Sequence, residues 1–560
     1  MKHIKTFVPA LAALACLSSC ELTEHPSSYY DKDTYFNTPS KAKMAVSGAY
    51  DCLTRSQHYG QFEMAAQVCD DMEYLKGNDS DNKRYDMANY HINAGNTWLS
   101  SLWQYKYSGI DRANLAIDGI ENMAGYAEDA ELRNYAAQAR FLRAFLAFDL
   151  VKGWGDVPFK TKYTSVYEET FLPRTNREDI YDVIIADLDY AKENLYAGSA
   201  STSPEWPVKA AAHAMLMRVY LQRAGYSLQS DGKMTRPTED LREQYMKAVV
   251  AEWEAIQNEG YHGFYDGGYT ELFKSFSAME PNSKESLWEI PFNPTGTAFS
   301  DNDGFWGTWN GPEVAEPKVS STEWGSYMGR ANAFFRILPC WKGFFEDGDE
   351  RRDVLVVDYA YKWDKNKKEH YKNSNAKNPH NWYPGKWRRE WMPLGFNHLN
   401  ATGINYCVLR YADAVLMAAE AYNELGETDK AIELINKVRE RAGASEFTLD
   451  KYASLYKAPK VYDLPYIDDS SEQGKIRTAL YWERGFEMGG EGMRKYDLIR
   501  WNCLGPALRL FKTNVTKDFP KVVNYVAGNY FQDGVNELFP FPQEEMEANP
   551  KLDGVQNPGF

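Results

Sequence analysis

The sequence predicts a mainly α-helical protein, built from helical hairpins of the tetratricopeptide type with a large irregular insertion that carries short strands. Three observations support this fold class. Apolar residues recur at helical spacing in segments that are paired across short turns. One pair, residues 411–443, has the length of about 34 residues that is typical of a tetratricopeptide hairpin. Residues 262–400 lack this spacing and are dense in Gly, Asn, Pro, Trp and Tyr.

The first segment of the chain is typical of an exported lipoprotein. A basic start is followed by an apolar run from Phe7 to Leu17. This run fits a signal-peptide core of about 7–15 residues and is shorter than the about 20 residues of a membrane-spanning helix. It ends in LSSC, which resembles a bacterial lipobox. We therefore expect residues 1–19 to be a signal peptide and Cys20 to carry the lipid, with a plain secretory signal as the alternative.

The rest of the chain divides into a tether and one domain. Residues 20–40 are polar and rich in turn residues, which predicts a tether. We expect residues 41–560 to form a single domain, with the helical platform at about 41–260 and 401–560 and the looped insertion at about 262–400.

The platform helices are predicted from their apolar faces and end signals. Ser40 is a candidate N-cap for the first helix, and glycines with Pro158 close the third. In the hairpin 411–443, Tyr422, Leu425 and Ile432 are expected to pack across the turn. The predicted helical segments are 40–55, 96–123, 129–152, 176–195, 208–225, 242–261 and the hairpin 411–443. The predicted strands of the insertion are 284–292 and 351–363.

Charge and cysteine content limit the classes of function. The chain holds 63 Lys and Arg against 79 Asp and Glu, a net charge of −16. This argues against nucleic acid as a partner, because its binding requires basic residues that neutralise phosphates. Five cysteines follow Cys20 and none forms a C-x-x-C pair. We expect buried free thiols, and a Cys52–Cys69 disulfide is the open alternative.

Three glutamates raise the question of catalysis. Glu483, Glu487 and Glu491 are spaced by four residues, which predicts one face of a helix. One interpretation is the carboxylate pair of a glycosidase, with carboxyls about 5–10 Å apart. The other is an ion-pair network with nearby charged residues, namely Arg484, Arg494, Asp497 and Arg500. We favour the network and a protein that is not an enzyme, because arginines keep carboxylates ionised whereas a general acid needs a raised pKa.

Acidic residues near the start of the domain raise the question of a metal. Asp70, Asp71, Glu73, Asp79 and Asp81 offer the oxygen ligands that calcium prefers, but the spacing of an EF-hand loop is absent. Solvated loop acids are the favoured interpretation. Nine histidines without an H-E-x-x-H motif argue against zinc. We expect no cofactor and no metal site, with structural calcium as the alternative.

Aromatic residues indicate a binding surface. They form 15% of the chain, with 16 Trp and 39 Tyr. Aromatic rings stack on the apolar faces of sugars, while amides, carboxylates and guanidinium groups bond sugar hydroxyls. The loops 70–98 and 304–330 contain this mixture. The candidate contacts are Tyr74, Asn78, Trp98, Trp306, Trp309 and Trp324. Core packing is the alternative for each tryptophan.

Several segments occur in an order that one family shares. The lipobox cysteine is followed by the blocks AQARFLRAFLAFDLVKGWGDVP and ERGFEMGGEGMRKYDLIRW and by the end LFPFPQEEMEANPKLDGVQNPGF. Before the first block stand Trp103, Tyr107, Ile110, Ala113 and Asn114. Together these segments resemble the SusD/RagB family of outer-membrane lipoproteins of Bacteroidota. Gly485, where a second arginine is common, and Phe560, where Tyr often stands, are small departures.

The resemblance implies a superhelix of tetratricopeptide-like hairpins and a non-catalytic function. The protein is expected to bind a glycan at the cell surface and to deliver it to a SusC-like TonB-dependent transporter, for which it acts as a lid. It is expected on the outer membrane, held by the lipid on Cys20. In the family that it resembles, the glycan site commonly draws on loops of the regions 70–98 and 304–330. A RagB-like lipoprotein that captures peptide or protein is the alternative, and a glycosidase and a pure helical scaffold are further ones.

Overall fold

A computed structural model describes residues 32–77, 80–295, 301–456, 464, 466–518 and 525–560. Cys20, Asn78 and Asp79 lie outside these residues. The helices are α1 Lys32–Tyr35, α2 Pro39–Leu53, α3 Phe62–Gln67, α4 Arg84–Ala88, α5 Thr97–Glu121, α6 Ala130–Trp154, α7 Arg177–Asn194, α8 Lys209–Ala224, α9 Glu239–Glu259, α10 Gly268–Ser277, α11 Glu350–Leu355, α12 Tyr411–Glu424, α13 Thr428–Arg441, α14 Tyr452–Leu455, α15 Glu472–Met488, α16 Arg494–Arg500, α17 Leu504–Asp518, α18 Ala527–Tyr530 and α19 Gln543–Ala548. The strands are β1 Glu73–Leu75, β2 Val157–Pro158, β3 Arg174–Thr175, β4 Ser227–Leu228, β5 Met234–Thr235, β6 Ser286–Ile290, β7 Phe335–Ile337, β8 Val356–Val357, β9 Tyr359–Asp364, β10 Glu369–Ser374, β11 Tyr383–Pro384 and β12 Tyr406–Arg410.

The helical platform has the predicted organisation. Helix α5 packs on α6, α6 on α7, α8 on α9 and α12 on α13, so neighbours in the sequence are neighbours in space. The mainly α-helical fold class is therefore confirmed. None of the helices in the described part of the chain combines the length and the apolar character required to cross a bilayer.

Side-chain caps fix the ends of the long helices. Asn96 accepts hydrogen bonds from the backbone N–H groups of Trp98 and Leu99, both at 3.1 Å, and so begins α5. Helix α2 has Thr38 as its N-cap, so the predicted cap Ser40 is wrong by two residues. Helix α6 ends at Gly155, whose φ of 76° lies in the region that favours glycine.

The hairpin α12–α13 stacks on α15. Tyr422 is buried, and Leu425 and Ile432 pack against the same core, as predicted. The side chains of Asn423 and Gln473 donate to each other's backbone carbonyls at 3.2 and 2.8 Å, which joins α12 to α15. The apolar face of this hairpin is therefore covered by a neighbouring helix.

The insertion is attached to the platform by short antiparallel ladders. Strand β6 pairs with β12, and β1 pairs with β7, where Tyr74 lies opposite Arg336. The predicted strand 284–292 is confirmed by β6. The predicted strand 351–363 is wrong in its first part, because the Asp349 side chain accepts from the backbone N–H of Arg351 at 3.0 Å and caps helix α11.

A buried ion-pair network joins the insertion to the last helices. Glu483 accepts from Arg351 at 2.8 Å, and Glu487 accepts from Arg410 at 2.6 Å. Burial alone would raise the pKa of Glu487, but the charges of Arg441 and Arg410 hold it at about 2. A carboxyl with so low a pKa is no general acid at neutral pH. The network interpretation is therefore confirmed.

Two details of that prediction are wrong. Helix α15 ends at Met488, so Glu491 lies beyond the helix and receives Lys386 and Arg410 there. The partners of the glutamates also come from distant segments. The predicted partners are bound elsewhere, Arg484 to Asp413 and Asp497, Arg494 to Asp71, and Arg500 to Glu420 and Asp497.

The acidic pair Asp70–Asp71 is buried rather than solvated, which corrects the sequence-based interpretation. Asp70 accepts from the backbone N–H groups of Met72 and Glu73 at 2.7 Å, and Asp71 receives both arms of Arg494 at 2.7 and 2.8 Å. Among the described residues, no group of three or more His, Cys, Asp or Glu is placed to hold a metal ion. Cys52 and Cys69 are buried free thiols, so the disulfide alternative is wrong.

Candidate ligand-binding cleft

Four of the six predicted contact residues lie in the core, and three of them are almost fully buried. Tyr74, Trp306 and Trp309 are only 3, 2 and 2% exposed. Trp306 stacks on Tyr406 with ring centroids 4.4 Å apart, in the interior between the insertion and the platform. These side chains have no free face for a ligand, so the structure corrects the prediction in favour of core packing. These residues were predicted as ligand contacts because a high aromatic content does not show which way a ring points.

The two predicted loops do meet. The ring centroid of Trp98 lies 3.9 Å from that of Phe62 and 5.9 Å from that of Trp309, which brings the loops 70–98 and 304–330 together. Trp98 is itself 8% exposed and works mainly as a packing residue. Asn78 lies outside the described residues and stays a prediction.

Trp324 is the predicted residue with a partly free ring. It lies half-buried on a short 3-10 turn, Ser321–Ser326, whose capping box is formed by Ser320 and Glu323. Its ring stacks on Phe396 with centroids 4.7 Å apart and an interplanar angle of 26°. Phe396 in turn forms part of the wall of a cleft, and this places Trp324 beside that cleft.

The cleft has a volume of about 380 Å³ and opens between the insertion and the platform. This volume lies within the range of about 300–1,000 Å³ that is common for ligand sites. Its walls come from the segments 203–205, 276–281, 289–294 and 389–405. The apolar wall residues are Phe276, Met279, Phe292, Met392 and Phe396, and the polar ones include Glu205, Glu289, Asn293, Arg389, Asn397 and Asn405.

Arg389 places an uncompensated positive charge at the cleft. Its side chain is 2% exposed, and its Nη1 donates to the carbonyl of Ala401 at 3.1 Å. Its Nη2 has no hydrogen-bond partner, and no carboxylate pairs with it in the part of the chain that the structure describes. Burial lowers the pKa of Arg389 to about 10. A Cβ atom at Gly329 would lie 1.6 Å from Nη2, so only glycine leaves room for this guanidinium.

Glu289 places a carboxyl without a counter-charge on another part of the wall. Asn405 donates to Glu289 at 2.9 Å and to Glu205 at 3.2 Å. The second oxygen of Glu289 has no hydrogen-bond partner within the described residues. Burial raises the pKa of Glu289 to about 7, with a contribution from the nearby charge of Glu205. Near neutral pH this carboxyl is thus partly protonated, and a buried carboxylic acid both donates and accepts.

A larger cavity of about 750 Å³ lies elsewhere on the platform, along α5, the segment 158–172 and α19. Some of its polar groups are engaged with each other, since Glu545 accepts from Trp103 at 3.3 Å and Asp111 accepts from Thr164 at 2.7 Å. The smaller cleft instead combines stacked rings, exposed amides and buried charges without counter-ions. Buried polar groups without partners are candidates for ligand contacts, because most buried polar groups in proteins are hydrogen-bonded.

The fold and the cleft together are typical of a ligand-binding protein that is built from helical hairpins. Two family models match the chain. The model described as the SusD family matches residues 341–560, and the model described as starch-binding, associating with outer membrane, matches residues 22–221. The chain belongs to the SusD-like family.

Similar proteins cover nearly the whole chain. The SusD-like protein P25 of Formosa agariphila is 26% identical over 589 residues, which cover 99% of this chain and 98% of that protein. The crystal structure of a SusD homolog from Bacteroides thetaiotaomicron has a TM-score of 0.77 at 25% identity and covers 94% of this chain and 98% of that one. Surface glycan-binding protein A of the same species, in complex with laminarihexaose, has a TM-score of 0.64 at 19% identity, over 92% and 99% of the two chains.

Proposed function

We propose that this protein binds a glycan in the cleft between the insertion and the platform, without cleaving it. The observation that carries the proposal is the composition of the cleft. Phe396 and Trp324 bring two stacked aromatic rings to the cleft, with the Arg389 guanidinium 5.7 Å from the Phe396 ring. The exposed side chain of Asn397 forms no hydrogen bond to any described residue and so is free for hydroxyls. Relatives that are known as glycan-binding proteins support the choice of ligand.

The bound glycan would pass to a TonB-dependent outer-membrane transporter, over which the protein acts as a lid. Acylation of Cys20 would hold the chain on the outer membrane and facing the medium, since a multi-acyl anchor needs no spanning helix. The family model that names association with the outer membrane supports this location. A Cys20→Ala variant should leave the membrane fraction of the cell, whereas retention there would contradict the anchor.

Binding is tested first with a glycan panel that includes laminarin and starch. Affinity electrophoresis identifies the ligand, and calorimetry on the full mature chain measures the affinity for it. Phe396→Ala and Trp324→Ala should each weaken binding about tenfold, the effect expected when an aromatic anchor is truncated. Tyr530→Ala is the control, because this ring is 41% exposed and lies outside the cleft.

Two outcomes would contradict the proposal. The first is a wild-type protein that binds no glycan of the panel, and the second is the release of new reducing ends from a glycan that it binds. Peptides found in complexes purified together with the transporter would favour the peptide-capturing alternative instead.

A further inference from the structure

A second group of rings lies on the helical platform, next to the cleft. Trp206 is the most exposed of the 16 tryptophans, at 38%, and Tyr196 is 52% exposed. With half-buried Tyr135 they border a notch of about 250 Å³, here called the Trp206 notch. Its volume is below the range of about 300–1,000 Å³ that is common for whole ligands, so it suits a single ring.

The polar groups of the notch are those that bind sugar hydroxyls. Gln138 accepts from Tyr50 at 3.3 Å through Oε1, while its Nε2 has no acceptor among the described residues. Lys43 lies over Trp206, with Nζ 5.9 Å from the ring, and Glu131 accepts from Tyr135 at 2.8 Å. The notch thus combines a partly exposed indole with an amide, an ammonium group and a carboxylate.

The notch and the cleft share one wall. Thr202 and Ser203 border the notch, while Ser203, Pro204 and Glu205 border the cleft. Only a few residues of one loop therefore separate the two sites.

Hydrogen bonds hold that loop rigid. Thr202 Oγ1 donates to the Ser199 carbonyl at 2.7 Å, and the backbone N–H of Trp206 donates to the Ser203 carbonyl at 3.2 Å. The Pro204 carbonyl accepts from the backbone N–H of Glu289 at 2.8 Å, which attaches the loop to β6 in the cleft wall. A rigid loop keeps Trp206 in place before binding, so little ordering entropy is lost when a ligand arrives.

We propose that the Trp206 notch is a second subsite for the glycan that the cleft binds, so that the natural ligand is an extended polysaccharide chain rather than a short oligosaccharide. This inference rests on the proposed function, because the cleft supplies the first contact. Once one sugar is held in the cleft, the next part of the same chain reaches Trp206 at a high effective concentration. Affinity therefore rises with chain length, and the rise depends on Trp206.

The test is calorimetry with oligosaccharides of increasing length, from disaccharide to decasaccharide. The laminari- and malto-oligosaccharide series are used first, together with laminarin and starch. Four full-length mature proteins are compared, namely wild type, Trp206→Ala, Phe396→Ala and the control Tyr530→Ala. We expect Trp206→Ala to bind the shortest active oligosaccharide as wild type does and to lose about tenfold in affinity for the longest. Phe396→Ala should lose affinity at every length.

The outcomes separate the two proposals. If wild type binds glycans and Trp206→Ala matches it at every length, the second subsite is wrong and the proposed function stands. If wild type binds no glycan, the proposed function fails and the subsite with it. Hydroxyl-radical footprinting on the wild-type chain gives a readout without mutation. Long oligosaccharides should protect Trp206 and Tyr196, short ones should not, and unchanged labelling with a bound long chain would also overturn the subsite.

Discussion

At the scale of single residues, Arg410 is the charge on which the buried network depends most. It is 1% exposed and contacts Glu285, Glu487 and Glu491. Replacing it by methionine keeps apolar bulk but leaves three buried carboxylates short of their cation. We expect Arg410→Met to lower the free energy of unfolding by about 3–5 kcal/mol, because a broken buried ion pair leaves uncompensated charge. Urea unfolding of both proteins measures the loss.

A surface ion pair provides the matched control for Arg410. Lys247 pairs with Glu243 at 2.6 Å on α9, but the lysine side chain is 64% exposed. Lys247→Met should change the free energy of unfolding by no more than about 1 kcal/mol, as is usual for exposed pairs. Equal losses in the two variants would show that the network does not stabilise the fold beyond a surface pair.

Glu289 predicts a pH dependence of stability. Burial raises its pKa from 4.5 to about 7 in the folded protein. Between these values the folded state keeps a proton that the unfolded state has lost, so stability falls as pH rises. Glu289→Gln removes this titration. We expect the stability of wild type relative to the variant to decrease by about 3 kcal/mol between pH 4 and pH 8.

Unfolding midpoints of Glu289→Gln and wild type across that pH range test the expectation. Glu369→Gln, on exposed strand β10, is the control and should run parallel to wild type. The assigned pKa would be contradicted if the unfolding midpoints of Glu289→Gln and wild type changed in parallel with pH. It would also be contradicted if wild type became more stable relative to the variant as pH rises.

The candidate binding residues were only partly predictable from the sequence. Aromatic content predicted a ring-lined site, and the structure places Trp324 beside the cleft. Arg389 and Glu289 were missed because their importance comes from lacking partners, which only the fold reveals. Trp206 had a usable signal in SPEWPVK, where a tryptophan between two prolines stands in a turn that separates helices.

At the scale of elements, the contact between α5 and α6 depends on a glycine. A Cβ atom at Gly109 would lie 2.5 Å from Cδ1 of Leu146, which is fully buried. Overpacking a filled core costs about 1–3 kcal/mol, more than the gain of up to about 1 kcal/mol in helix propensity. We therefore expect Gly109→Ala to destabilise the protein by about 1 kcal/mol, measured as a lower urea midpoint.

Gly48, in α2, is the control with the opposite expected sign. A Cβ atom there would have no neighbour within 4 Å. Gly48→Ala should stabilise the protein by about 0.5–1 kcal/mol, since alanine loses less backbone entropy in a helix. A loss of stability in Gly48→Ala, or a gain in Gly109→Ala, would contradict this account of helix packing.

Elements differed in how well the sequence predicted them. Helices α5 and α6 carry their own signals, such as the cap at Asn96 and the stop at Gly155, and were predicted to within two residues at each end. The short strands of the insertion lack such signals, because each forms only by pairing with a distant partner, as β1 does with β7. A strand of three residues has no periodicity of its own.

At the scale of the whole molecule, one network holds together segments that the sequence keeps far apart. Arg351 comes from α11, Arg410 from β12, Arg439 from α13 and the glutamates from α15 and the turn after it. The spacing of the glutamates predicted that a network exists. The partners of the glutamates depend on how the insertion folds back on the platform, so no local sequence pattern predicts them.

The charge of the whole molecule predicts which glycans it prefers. A net charge of −16 repels polyanions, and this repulsion extends over a Debye length of about 10 Å at 0.1 M salt. Stacking on Phe396 and Trp206 needs no ligand charge. We expect the affinity for a neutral oligosaccharide to change less than about twofold between 0.05 and 0.5 M sodium chloride, and a sulfated form of the same chain to bind more weakly at low salt. Calorimetry at both salt concentrations checks this, with Arg389→Gln as the comparison. An affinity that falls steeply with salt and depends on Arg389 would reveal an anionic ligand, drawn to the one cleft guanidinium that has no carboxylate partner among the described residues.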